Sequence, residues 1–497
     1  MSLSMHNISL RMTDSATGKP TPCRLHIRDE AGRYYPPLGR AAEFPGHQNE
    51  DVGAGLRQLQ KSFAVIDGAC EVPLPGGVPL HFEISKGIFH KPISQVITLG
   101  AGQLTLRFNL DRWKHGSGFA QADSRCHFLT PHAARLEATA EGLDITNLLA
   151  VSRDMPSIDG KLYASLTNIT AFSGQAEAFG SPRGGVYVNT LNLHPVLGHL
   201  SLLNCHRVVY PLTFGMLGEN DDWSLGDWAG QCHRKNGLVV WSNAYRPEAG
   251  LPGGEALVQA VYGRVDAFEI DGLPRQTPIL PAWYRLLNAG VILPLLGGSG
   301  KDSNQLPLGC VRTLTPLIGD ELPTYTEWIE QVRRGESQVT NGPVIRWMIN
   351  GKPASLKLNV DKPGRMTVHA EVRSPVPFDR LELIANGSIV ASIGSREDHS
   401  AILEAEVETG VWLAVRCRGG HVSPIYPQMP VFAHTSPAVV TVNGEPNRRD
   451  PVASQMLLKQ IAAVREWVET TGQFGDPKFK KELLADITVV ETRLADA

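Results

Sequence analysis

The sequence predicts a multidomain α+β protein: an α/β barrel between two β-sandwich domains, followed by C-terminal helices. Three observations carry this. Both flanks read as short strands and turns, the middle alternates helix patterns with short apolar runs, and two Asp-Pro pairs open amphipathic stretches near the end. The length of 497 residues calls for about three domains.

Residues 1–112 form the first unit. Gln103 to Leu110 alternates polar and apolar residues, which predicts a strand burying Leu104, Leu106, Phe108 and Leu110. Turn clusters such as Thr17-Gly-Lys-Pro20 punctuate this region, and no helix-period segment precedes Trp113. In the second unit, 113–335, Pro131 to Gly142 has helical composition, with Thr130 as N-cap and Gly142 as C-cap. Asp144 to Ala150 then reads as a buried strand. The pairing recurs at Ser224–Asn236 with Gly237–Trp241, and at Pro281–Ala289 with Val291–Leu296. Such alternation implies a parallel sheet or barrel, with the site at the C-terminal strand ends. The third unit, 336–446, returns to strands, and Asn386-Gly387 between two apolar runs predicts a hairpin. In the tail, 447–497, Asp450-Pro451 and Asp476-Pro477 each place an N-cap before proline at N1, predicting two helices.

Composition narrows the function classes. The 47 basic and 50 acidic residues leave a net charge of −3, which argues against broad capture of nucleic acid. Seven cysteines, at 23, 70, 126, 205, 232, 310 and 417, are never closer than 27 residues, so no Cys-x-x-Cys spacing exists. Their odd number argues against a disulfide framework. With no signal-peptide pattern at the start and no long apolar run, the expectation is a cytoplasmic protein with no membrane association.

Among candidate motifs, Gly298-Ser-Gly-Lys301 lacks the first glycine and the hydroxyl residue of a P-loop and is rejected as one. Cys126 and His127 are strand neighbours on opposite faces, so Cys126 reads as buried and inert. Asp123-Ser-Arg-Cys-His127 is more informative. The period of two places Asp123, Arg125 and His127 on one face, either as a site at a barrel mouth or as a solvated edge with an Asp-Arg pair.

These segments resemble the CehA/McbA-like metallohydrolases, relatives of the PHP domain, from roughly residue 10 to 445. The likeness is carried by Gly116-Ser-Gly-Phe119, Asp123–His127, Phe128-Leu-Thr-Pro-His132, Val196-Leu-Gly-His-Leu-Ser-Leu-Leu203, Trp283-Tyr-Arg-Leu-Leu-Asn288, Val339-Thr-Asn-Gly-Pro343 and Ala433-His-Thr-Ser-Pro437, among others. It implies a distorted PHP-like α/β barrel and metal-dependent hydrolysis of ester, amide or carbamate bonds. The implied metal positions are mostly altered. The opening D-x-H-x-H keeps Asp123 and His127 but has Arg125 for its first histidine. The expected glutamate falls on Leu191, while His199 remains. A later histidine falls on Asn243, and an aspartate falls on Gly300 beside a retained Lys301.

A hydrolytic metal needs several N/O ligands and carboxylate charge, and a permanent Arg125 cation repels a divalent ion. The sequence therefore reads as a family member with a degenerate metal site and no expected cofactor. Its barrel mouth, drawn from Asp123, Arg125, His127, His132, His199, Asn243 and Lys301, would bind a small molecule, with cationic Arg125 and Lys301 and few carboxylates favouring an anion. Asp123 would orient Arg125 or a histidine. Two alternatives remain at this point: an active hydrolase using one divalent zinc or manganese ion on Asp123, His127 and His199, or using His127 as base; and a scaffold or interaction subunit.

Overall fold

The computed structural model describes residues 4–41, 53–156, 162–216, 219–245, 251–272 and 279–496. The protein is mixed α+β and mostly sheet, with several sheets and seven α-helices among the described residues.

In the first unit a three-stranded sheet has Met5–Asp14 at its centre, antiparallel to Ala69–Pro75 and parallel to Thr105–Leu110. A five-stranded sheet runs Gly55–Gln58, Lys61–Ile66, Cys23–Asp29, Pro79–Ser85, Ile93–Thr98. Alternation buries Ile8, Leu10 and Met12 of the first sheet in one core with Leu25, Ile27 and Phe82 of the second. Leu106, Phe108 and Leu110 are inside as expected. Leu104 is not: it precedes the paired strand, lies outside the core cluster and is 58% exposed.

Seven strands of a closed barrel follow: β1 (Phe119–Cys126), β2 (Ile145–Pro156), β3 (Gly184–His194), β4 (Gly198–Leu203), β5 (Leu238–Ser242), β6 (Ala267–Asp271) and β7 (Leu295–Gly298). Pairs β1–β2, β2–β3, β5–β6 and β6–β7 are parallel. The expected all-parallel order fails at β3–β4 and β4–β5, which are antiparallel. Only residues 195–197 separate β3 from β4, far too few for the crossover a parallel pair requires. The seam between β7 and β1 is closed by Gly300 N–H to Arg125 O (2.9 Å) and His127 N–H to Lys301 O (2.8 Å). Gly300 takes φ +65° to make this turn, a conformation that suits glycine. The last strand is also displaced from its expected place. Val291 and Leu293 enter the core but precede the ladder, which starts after Pro294, a residue with no N–H to donate.

The helices follow their caps. In α1 (Pro131–Ala140), Thr130 accepts from Ala133 N–H, and Gly142 follows at φ +70°. Ser224 caps α2 (Leu225–Arg234), and α3 (Gly254–Tyr262) and α4 (Ile279–Asn288) complete the layer around β4–β7. A capping box between Thr324 and Glu327 opens α5 (Tyr325–Arg333). Asp450 and Asp476 cap α6 (Pro451–Thr470) and α7 (Pro477–Ala495), as the sequence predicts. These two are no appendage, since Leu457, Ile461, Val464, Ile487 and Val490 share one core with α3, α4 and the barrel.

In the third unit the sheet containing Val344–Ile349, Arg365–Arg373 and Ser400–Glu408 shares a core with strands Arg380–Ala385, Trp412–Ser423 and Tyr426–Thr435. Asn386 and Gly387, at φ +46° and +82°, turn the predicted hairpin. No break in hydrogen bonding separates this unit from the barrel. Gln338–Thr340 pairs with both Arg312–Pro316 and Tyr426–Thr435, and Arg312–Pro316 pairs with β1.

One buried polar hub joins all three units. Glu141, just past α1, takes Arg24 of the first unit on one oxygen (2.6 Å) and the Tyr426 hydroxyl of the third on the other (2.7 Å). Arg312 donates to the Glu141 carbonyl (2.9 Å), to Gln121 (2.8 Å) and to Tyr426 (2.5 Å). A second junction is His434, which lies between Tyr284 Oη (2.7 Å) and the Thr435 carbonyl (2.8 Å). Burial pushes its imidazole down to about 3.

Two outcomes are expected. Glu141→Ala leaves buried Arg24 without its carboxylate and the Tyr426 hydroxyl without its acceptor, and should cost about 3–5 kcal/mol, read as a lower midpoint in denaturant or heat. For His434, the unfolded chain takes up a proton near pH 6.5 that the folded chain refuses until about 3, so stability falls as pH drops through that window. His434→Gln should reduce the pH slope of stability there by close to one proton; an unchanged slope would show that another group sets it.

Candidate functional site

Strand β6 reads Ala-Phe-Glu-Ile-Asp, so alternation sends Phe268 and Ile270 into the apolar core and Glu269 and Asp271 to the other face. Between these carboxylates lies the guanidinium of Arg125 from β1. Its Nε contacts Glu269 Oε1 at 2.7 Å and one Nη contacts Asp271 Oδ2 at 2.8 Å. That Nη also donates to Asn243 Oδ1 (3.0 Å), and the other donates to His127 Nε2 (3.3 Å). Guanidinium only donates, so the His127 Nε2 lone pair is engaged with Arg125 and not held ready for a water proton. The Asn243 amide reaches on to His199 Nδ1 (2.8 Å).

This cluster is nearly dry, since Arg125 is 2% exposed and Glu269 wholly buried. Burial works against the Arg125 charge, but Glu269 and Asp271 outweigh it and hold the guanidinium pKa above its ordinary value. Burial raises the Glu269 carboxyl against the pull of Arg125.

A bulge in β1 sets this arrangement. Thr146 of β2 pairs with Asp123 and Leu148 with Cys126, so three steps on β1 match two on β2. As a result Ser124 and Arg125, consecutive residues, both reach Glu269, Ser124 Oγ donating to Oε2 at 2.9 Å. The period of two that placed Asp123 with Arg125 and His127 is broken at this point. The Asp123 carboxylate instead accepts three main-chain amides: Arg125 (3.0 Å), Ser299 (2.9 Å) and Gly309 (2.8 Å). It clamps the β1–β7 seam and does not orient the guanidinium. Burial raises its carboxyl in spite of these donors.

Other expected members lie elsewhere. His132 is exposed on α1, its ring edge-on to Phe179 at 5.1 Å. Lys301 is buried, but its ammonium donates to the carbonyls of Ser303 (3.0 Å) and Leu306 (2.9 Å) and pairs with Glu137 (3.5 Å). Leu191 lies in an apolar cluster with Tyr187, Val240 and Trp328. Cys126 is buried, with its thiol raised well above the ordinary value, as its inert reading requires.

The expectation of cations with few carboxylates is therefore corrected. Arg125 faces Glu269 and Asp271, and Lys301 faces Glu137. Sequence reasoning missed Glu269, Asp271 and Ser124. Their signal was an acidic pair two residues apart at the end of an apolar strand, but they matched no position of the expected metal motif.

A hydrolytic metal does not fit these residues. Its candidate carboxylates are bound to Arg125 or to amides, His127 Nε2 and His199 Nδ1 are engaged, and the fixed guanidinium charge sits where Glu269 and Asp271 converge. Among the described residues no three His, Cys, Asp or Glu side chains form a metal-ligand group. No helix of the described residues is long and apolar enough to cross a membrane. Comparison with family models, curated proteins and solved structures gives no match for this chain.

Arg125→Met should destabilise the fold by about 3–5 kcal/mol, because it strands two buried carboxylates. Adding Glu269→Gln and Asp271→Asn should recover part of that loss by removing the uncompensated charges. A triple variant no more stable than Arg125→Met in urea unfolding would mean that the guanidinium acts chiefly by filling space.

Proposed function

We propose that this chain is a divergent relative of the CehA/McbA-like metallohydrolases, built on a PHP-like barrel, in which Arg125 has taken the place of the metal. The barrel mouth then recognises a small polar molecule without metal-dependent hydrolysis. The observation that carries this reading is the Arg125 guanidinium between Glu269 and Asp271, a permanent, neutralised cation at the position where the resemblance implies the first histidine ligand.

The part offered to a ligand is the rim. His199 and Asn243 are half-buried, and with Trp241, Tyr245, Gly253 and Gly254 they line a recess of about 40 Å³. Such a recess admits one small polar group rather than a whole large substrate. Two carboxylates against one guanidinium beneath the rim favour a neutral or cationic group over an anion.

Two measurements test this. Protein purified from medium supplemented with zinc and manganese should hold well under one metal per chain by elemental analysis; stoichiometric metal would overturn the reading. A thermal-shift panel of small amides, amines, carboxylates and phosphate should show stabilisation by amides or amines that His199→Ala weakens. Stabilisation by the anions alone would reject the ligand class.

A further inference from the structure

The seven cysteines are spread along the chain, yet the fold brings two of them into contact. Cys205 follows the end of β4 and Cys232 lies in the last turn of α2, with their sulfurs 3.3 Å apart and both residues buried. All seven are thiols. The contact is fixed by the backbone on both sides. Asn204, at φ +60°, turns the chain out of β4 and its amide donates to Asn236 O (3.1 Å). Gly237 N–H and Lys235 N–H each donate to Cys232 O at 2.9 Å. Gly237 also makes the room: a Cβ there would lie 2.4 Å from one sulfur and 2.5 Å from the other. Any side chain at 237 would wedge the pair apart.

We propose that Cys205 and Cys232 form a two-electron redox site that a small neutral hydroperoxide closes to a disulfide. One thiolate attacks the peroxide O–O bond, giving a sulfenic acid and, after protonation, water. The second sulfur then displaces the sulfenic oxygen as a second water, with its own proton carried away. The balance is two thiols and one hydrogen peroxide to one disulfide and two waters. Closing the S–S bond to about 2.05 Å needs an approach of little more than an ångström. Burial decides which oxidant works. A water-sized, uncharged peroxide can enter through local opening of the α2 end, whereas glutathione disulfide, bulky and charged, cannot reach either sulfur. Burial also lifts the Cys232 thiol well above its ordinary value, so the reaction is slow rather than diffusion-limited.

The test uses the reduced full-length chain, exposed under native conditions to hydrogen peroxide or to glutathione disulfide, then denatured and alkylated. Peroxide should remove two of the seven alkylatable thiols, lower the mass by two hydrogens and yield one crosslinked peptide pair containing Cys205 and Cys232, reversed by dithiothreitol. Glutathione disulfide should leave Cys205 and Cys232 as alkylatable thiols. Seven thiols after peroxide, a crosslink between other cysteines, or sulfinic acid at 205 or 232 in place of a crosslink would overturn the proposal. Equal oxidation by glutathione disulfide would overturn the burial gate. Gly237→Ala, which parts the sulfurs without removing either, should slow crosslinking at least tenfold; an unchanged rate would count against the geometry.

Discussion

The three units of this protein are held in one arrangement by the carboxylate of Glu141. An isolated buried glutamate would be expensive, and so would Arg24 or Arg312. Each is tolerable because the others are present: Arg24 comes from the first unit's sheets, Tyr426 from the third's, and Arg312 from a strand beside β1. Buried pairs of this kind add little net stability over apolar packing, but they penalise any misassembled arrangement heavily. Charge thus adds selectivity to a placement that apolar contact also supports, since Phe89, Leu314, Val344 and Tyr426 of the three units pack in one cluster.

The same logic operates at the barrel mouth. Glu269 and Asp271 converge from alternate positions of one strand, and something positive must lie between them. In a metalloenzyme a divalent ion serves that purpose and brings open coordination sites with it. Here a guanidinium does, and it makes four hydrogen bonds, one each to Glu269, Asp271, Asn243 and His127. Charge neutralisation and Lewis acidity, which a metal combines, are separated in this chain. Only the first is supplied by Arg125.

Much of the fold was legible because its signals are local. Thr130, Asp450 and Asp476 cap helices through their own side chains, and Asn386-Gly387 turns a hairpin through its own backbone. What failed depended on partners remote in sequence. The direction of β4 follows from a connection too short for a helix, and the exposure of Leu104 from where its core stops. At the site, Arg125, His127, His199 and Asn243 were anticipated and are joined by hydrogen bonds. Asp123, His132 and Lys301 were anticipated too, but their contacts go to amides, a phenylalanine, and a helix glutamate with loop carbonyls. Spacing along one strand could not show this, because the bulge is visible only in the pairing with β2. Glu269 and Asp271 were hidden for a related reason: their function is defined by a residue 144 positions earlier in the chain.

The bulge at Ser124 and Arg125 also ties closure of the barrel to the filling of its mouth. With three steps on β1 set against two on β2, Asp123 accepts the three amides at the seam while Ser124 and Arg125 both reach Glu269. A substitution at position 125 changes which group enters the barrel and leaves the strand register alone. Removing a residue from the bulge would shift the seam and the site together, so the length of β1 is constrained even where its side chains are not.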